Sequence, residues 1–375
     1  MIDPAVQSSL PNLAAAQFLV GSSGPNTAIV MPALTAHCNR YKGSEARRSA
    51  WQLVNSFVPF LACMTALFAG LIAGFWPALV LAVPAGGFLI RLFIIQHDCG
   101  HGSFWQSRRA NEFTGRALSL FTLAPYYFWR RTHAIHHATA GHLDKRGIGD
   151  VDTLTVQEYQ ARSALRQLWY RIYRHPLFLF GFGVPFDFIV LHRMPFAQMI
   201  SGREVWRSIV ALNLAMVLFY GALGWLVGLT ILFWAMMPML IVTTSIGGWL
   251  FFVQHQFPGG YWKRAAEWNF HTAAFASSSY YAMPRVVQWF TGNIGLHHIH
   301  HLCSLIPNYK LQACLDGNAQ LQTFNRVTIW QSLQCAKLTL WDEAAQQLVT
   351  FRQLAAAGPA ATAMLPLDPT DGCRS

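Results

Sequence analysis

The chain has 375 residues, 53% of them hydrophobic and only 11% charged, with a formal net charge of +11. Soluble domains usually carry about 25% charged residues, so this composition argues against an ordinary soluble domain and for an integral membrane protein. A basic balance can mean a nucleic-acid partner or membrane orientation, and the placement of the charges decides between them.

In chain order, residues 1–36 hold no Lys or Arg and lack the basic start of a signal peptide. They read as a flexible tail. Residues 37–355 read as a single membrane domain, and 356–375, rich in Ala, Pro and Gly, as a second flexible tail. Four apolar runs approach the roughly 20 residues that cross a bilayer: about 52–74, 77–96, 208–228 and 230–253. The links within each pair are a few residues long, so each pair predicts a helical hairpin. A fifth run, 177–191, contains Pro185 and Asp187 and is short for a span. It reads as interfacial or re-entrant, as does 117–129. The fold expected is an all-α integral membrane protein: four transmembrane helices in two hairpins under a cytoplasmic helical cap.

Of the 27 Lys and Arg, four precede the first span, Arg91 lies near the end of the second, fourteen fall between residues 97 and 207, and eight follow residue 254. Neither hairpin link has any. The termini and the long middle segment therefore belong on the cytoplasmic side. This explains the charge without nucleic acid. Arg91 is expected to snorkel to the near interface, about 9 Å along the helix from His97. The seven cysteines show no CxxC pair and no regular spacing, which suggests reduced thiols. Cys99 reads as a small buried residue rather than a ligand.

Eight of the 15 histidines fall into three tight groups. HDCGH holds His97 and His101; HAIHH holds His133, His136 and His137; HHIHH holds His297, His300 and His301. At this His content one H-x-x-H-H has a chance expectation of about 0.02 per chain, and the chain has two. Residues three and four apart share a helix face, so each group can aim at one centre. Imidazole suits Fe, Zn and Cu. Eight ligands exceed one ion, so two metals are implied. His255, just past the fourth span, mirrors the position of His97 and is a ninth candidate. His298 is expected to point away. His142 falls off the helical face, and His37, His175, His192 and His271 stand alone. Among the few carboxylates, Asp98, Asp144, Asp150, Asp152 and Glu267 lie where they could accept N–H bonds from ligating imidazoles, although Asp144, Asp150 and Asp152 sit beside Lys145 and Arg146 and equally suit surface pairing.

The runs HDCGHGSF, HAIHHATAGHLDKRGIGD and GNIGLHHIHHL with IPNYKL resemble the membrane fatty acid desaturases over about residues 45–330. VQHQFPGGYW is similar to the bacterial omega-6, or delta-12-type, acyl-lipid subgroup. The resemblance implies two iron ions held by His97, His101, His133, His136, His137, His297, His300 and His301, with His255 as ninth ligand. It also implies O2 as co-substrate and a cis double bond introduced into an acyl-lipid or acyl-CoA. A separate electron donor is implied, either ferredoxin or a b-type cytochrome with its reductase, since the cysteines lack Fe–S spacing. Arg108, Arg109, Arg130, Arg131, Lys145 and Arg146 offer such a donor a basic face, or simply meet lipid headgroups. The location implied is the bacterial inner membrane with the site cytoplasmic. Asp152 stands where the family favours an aromatic residue, and PGG follows QHQF where an acidic residue is common.

Two other classes remain open on the residues. A related lipid hydroxylase, epoxygenase or carotenoid oxygenase would use similar histidine groups. A membrane metal-binding or transport protein would place ligands nearer the bilayer midplane, whereas these lie past the span ends. A bis-histidine haem would not need clustered triplets.

Overall fold

A computed structural model describes residues 25–194 and 200–357. After α1 (Pro25–Asn39), α2 (Ala46–Ile72) and α3 (Ala82–His101) form the first long pair, joined through a 3₁₀ turn at Trp76–Leu81. The middle segment holds α4 (Arg108–Thr122), α5 (Tyr126–Thr139), α6 (Val156–Gln160) and α7 (Ala164–Tyr173). Short helices α8 (Pro176–Phe178) and α9 (Val184–Ile189) follow, with a π-helical turn between them. The second long pair is α10 (Arg203–Val227) and α11 (Leu229–His255). Beyond it lie α12 (Phe270–Ala276), α13 (Arg285–Phe290), α14 (His297–Leu302) and α15 (Asn308–Asp316).

Among the described residues five segments are long and apolar enough to cross a membrane: Ala46–Ile72, Trp76–His101, Pro176–Arg193, Arg203–Val227 and Leu229–His255. In hydrocarbon every backbone polar group must be satisfied internally, which makes the helix the natural form of such runs. The second is the central one. In its most apolar stretch 56% of residues are buried, against 17–28% in the others. Leu67, Leu89, Leu92, Ile95 and Met239 pack at its heart, and Val54, Val58, Leu214, Val217 and Leu218 face outward. Gly86 permits the close packing of α3 on α11, since a Cβ there would meet Val242 Cγ1 at 2.9 Å. Gly102, at φ 74°, ends α3 in the left-handed conformation immediately after His101.

The structure departs from the sequence reading in four places. The fold is mostly helical, but among the described residues five short strands accompany the helices. β1 (Leu154–Thr155) runs parallel to β4 (Leu340–Asp342), which is antiparallel to β5 (Gln347–Val349). β2 (Tyr280–Ala282) runs parallel to β3 (Arg326–Thr328). These pairings satisfy the backbone where the C-terminal segment folds back on residues 154–155 and 280–282. Second, the Pro176–Arg193 run is a fifth candidate for crossing. Third, α1 begins within the stretch read as an N-terminal tail. Met31, Leu34 and Cys38, spaced i, i+3, i+7, bury one face with Leu311, Cys314 and Leu315. Residues 1–24 lie outside the described residues, as do 358–375, while 351–357 form a last helix. Fourth, Arg91 does not snorkel. It is buried, donates from Nε to Ser56 Oγ at 2.9 Å and from Nη1 to the Trp289 carbonyl, and stacks 3.9 Å from the Trp289 ring centroid. Short-range partners on α2 and α13 hold it inside.

Candidate metal centre

Three local structures deliver the histidines. The last turn of α3 carries His97 and His101, α5 carries His133, His136 and His137, and α14 carries His297, His300 and His301. His255 is the last residue of α11. The structure brings all nine together and sorts them into two groups able to hold a metal ion. One is His97, His101, His133, His137 and His300; the other is His136, His255, His297 and His301. In each group the offered nitrogens lie within 4.8 Å of one another.

The sorting corrects the expectation that each triplet aims at one centre. His133 and His137 stay together, as do His297 and His301, whereas His136 and His300 each cross to the other group. Residues four apart differ by about 40° around a helix, while sequence neighbours differ by about 100°. His136 and His137 therefore point at different centres. Each triplet bridges both groups.

The nitrogen contacts suit a bound cation. In the four-histidine group, His136 Nε2 lies 3.0 Å from His255 Nε2, which lies 3.0 Å from His297 Nε2, which lies 3.1 Å from His301 Nε2. In the other group, His137 Nε2 lies 3.1 Å from both His133 Nε2 and His300 Nε2. Hydrogen bonds between neutral rings cannot account for the first of these contacts, His136 to His255. His136 Nδ1 faces the Asp150 carboxylate at 2.5 Å, and His255 Nδ1 faces the Ser277 carbonyl at 3.1 Å. Both acceptors demand a proton on Nδ1, so each neutral ring presents a bare Nε2 lone pair to the other. Two lone pairs at 3.0 Å repel unless a cation sits between them. Imidazole–metal bonds of about 2.0–2.1 Å would place adjacent nitrogens on one ion roughly 3 Å apart, close to the spacing found. The donor set fits metal ions that accept imidazole.

Burial first, and then the neighbouring imidazoles, hold His133, His137, His297, His300 and His301 well below the ordinary imidazole range. At neutral pH these rings are uncharged, the form that ligates.

Asp98 and Asp150 touch the cluster. Asp98 Oδ1 accepts from His97 Nδ1 at 3.1 Å, leaving the buried His97 Nε2 without a hydrogen-bond partner. Asp150 orients His136. Asp152 and Glu267 sit elsewhere. Asp152 is exposed, with its backbone N–H bound to the Tyr173 hydroxyl. Glu267 is exposed and pairs with Lys263 at 2.8 Å. Adjacent positions in a loop point apart, so nearness in sequence did not carry them to the rings. Asp144 pairs with Arg264 at 2.6 Å, and Arg146 is engaged by Glu158 and the Thr153 carbonyl, which leaves it little freedom to meet a partner. Cys99 is buried and lies in neither group. His298 points away from the cluster, with Nε2 donating to the Leu321 carbonyl at 2.9 Å. His142 is also outside both groups. It lines a partly open cavity of about 20 Å³ beside His136, His255, Asp150 and Gln256, large enough for one water. The Ser277 carbonyl was not legible in the sequence, because backbone acceptors carry no residue signal.

The class so defined is a helical protein with membrane-length apolar helices and a buried histidine cluster suited to metal ions. The fatty acid desaturase family matches residues 73–332, more than half of the chain. A fatty acid desaturase of Bacillus subtilis is 38% identical over 321 residues, covering 86% of this chain and 91% of that one. Two Synechocystis proteins are more distant. An sn-1 oleoyl-lipid 12-desaturase is 28% identical, covering 66% of this chain and 71% of its own. An sn-1 acyl-lipid omega-3 desaturase (ferredoxin) is 27% identical, covering 64% and 68%. The chain belongs to the fatty acid desaturase family, whose members are oxidoreductases acting on paired donors with O2.

Proposed function

We propose that this chain is a di-iron acyl-lipid desaturase that introduces a cis double bond of the omega-6, or delta-12, type. The observation that carries the metal centre is the pair of bare Nε2 atoms of His136 and His255 at 3.0 Å. The ligands are His97, His101, His133, His137 and His300 for one ion, and His136, His255, His297 and His301 for the other. Two iron ions held there would supply O2 activation and hydrogen abstraction from an unactivated methylene. The net reaction takes two vicinal hydrogens from the chain together with O2, two electrons and two protons, and yields a double bond and two waters. The protein's own part is orientation. Asp98, Asp150 and the Ser277 carbonyl set the tautomers of three rings, and burial keeps the others neutral.

Chain parity supports a four-crossing topology with Pro176–Arg193 not crossing. His133, His136 and His137 precede that segment, and His297, His300 and His301 follow α11. If all five candidates crossed, these triplets would lie on opposite sides of the membrane, yet they meet in one cluster. The site then faces the side holding the basic middle segment, the cytoplasm by charge placement, in a bacterial inner membrane. The ferredoxin named for the omega-3 relative supports a separate ferredoxin-class donor, and the 12-desaturase relative supports the regiochemistry.

The test is fatty acid methyl ester analysis of a bacterial host expressing the chain, with mass-spectrometric location of any new bond. A diunsaturated C18 product with a bond at carbon 12 is expected. A bond at the omega-3 position would overturn the regiochemistry, and an oxygenated product would overturn desaturation.

A further inference from the structure

Asp98 is almost fully buried at 1% exposure, and no Lys or Arg among the described residues pairs with it. An ionised carboxylate in that position needs donors on both oxygens. Oδ1 takes the His97 Nδ1–H. Oδ2 is held by one residue twice, accepting the Asn308 backbone N–H at 2.7 Å and its Nδ2 at 2.8 Å. The Asn308 side chain is fixed in turn, its Oδ1 accepting from Gln52 Nε2 at 2.7 Å. Asn308 and Gln52 are 1% and 3% exposed. The line Gln52–Asn308–Asp98–His97 thus joins α2, the start of α15 and α3.

We propose that Asn308, braced by Gln52, is a positioning residue for the five-histidine metal group, acting through Asp98 on His97. The proposal rests on the reading that the nine histidines hold two metal ions. Asn308 orients the carboxylate so that Oδ1 fixes His97 with Nδ1 protonated and Nε2 bare toward the metal. It also holds a buried negative charge that offsets the cation. A neutral partner serves this purpose where a lysine or arginine would cancel the charge.

The test is titration of the metal-free, full-length protein in detergent with Co²⁺ alone, following its absorption bands. Wild type should take up two ions. Asn308→Ala should weaken one class of site on the order of 10–100-fold, the usual cost of losing a partner that orients a metal-bound histidine, and leave the other unchanged. Gln52→Leu keeps both Asn308–Asp98 bonds and should weaken the same class by less, which preserves the test if Asn308→Ala does not fold. Asn308→Ala added to Asp98→Asn should lose nothing beyond Asp98→Asn, because the effect passes through that carboxylate. Equal weakening of both classes, wild-type affinity in Asn308→Ala, or full additivity would overturn the proposal. Wild type binding fewer than two ions would instead overturn the two-metal reading, and this proposal with it.

Discussion

Removing the Asp150 carboxylate should unload one metal group and spare the other. In Asp150→Ala the His136 Nδ1–H loses its acceptor at 2.5 Å, while His136 itself is buried. A stranded buried donor costs about 1–3 kcal/mol. Loss of the partner of a metal-bound histidine costs about 10–100-fold in affinity, which is about 1.4–2.7 kcal/mol. The two routes agree. The Asp150 side chain is 16% exposed, so water can partly replace it, and the lower half of the range is expected. Co²⁺ titration should show one class weakened about tenfold to thirtyfold, the class of His136, His255, His297 and His301, with desaturase turnover falling alongside. Asp152→Ala, two residues on and solvent-facing, is the control and should bind as wild type. Unchanged binding in Asp150→Ala, or equal loss in both variants, would refute the assignment of Asp150 to His136.

Three further outcomes follow from the same geometry. His136→Ala should abolish turnover while the protein stays folded in the membrane, whereas His298→Ala should keep both metals and lose only thermal stability, by about 1–3 kcal/mol for its buried bond to Leu321; metal analysis and melting curves separate the two. Burial alone would raise the Glu158 carboxyl, but the Thr155 N–H and Arg146 outweigh it and hold it below its ordinary value of 4.5. Because the folded value lies below the unfolded one, its contribution to stability is complete above about pH 4.5 and is lost as pH falls through the folded value. Melting temperatures between pH 5 and 3 should therefore fall less steeply for Glu158→Gln than for wild type. Finally, cysteines placed at Gly228 and Lys145 should react with a membrane-impermeant maleimide from opposite sides; labelling from the same side would break the four-crossing arrangement.

Much of this protein is legible one segment at a time. Long apolar runs declare helices, because hydrocarbon leaves the backbone no other partner. His133 and His137, or His297 and His301, declare a shared target, because four residues make nearly one helical turn. Those are local rules, and the sequence by itself determined the membrane-length helices and the nine candidate ligands through them. The apolar face of α1 is also present at i, i+3, i+7, but no charges frame it, so composition alone reads the stretch as a tail. What only the tertiary structure decided is the division of the nine histidines into five and four, because it depends on how α3, α5, α11 and α14 are rotated against each other. Likewise Asp98 could be suspected from its neighbour His97, but its second partner lies 210 residues away. No periodicity reports such a contact, since it arises where α15 packs against the end of α3 and buried polar groups must find whatever donors that packing brings near.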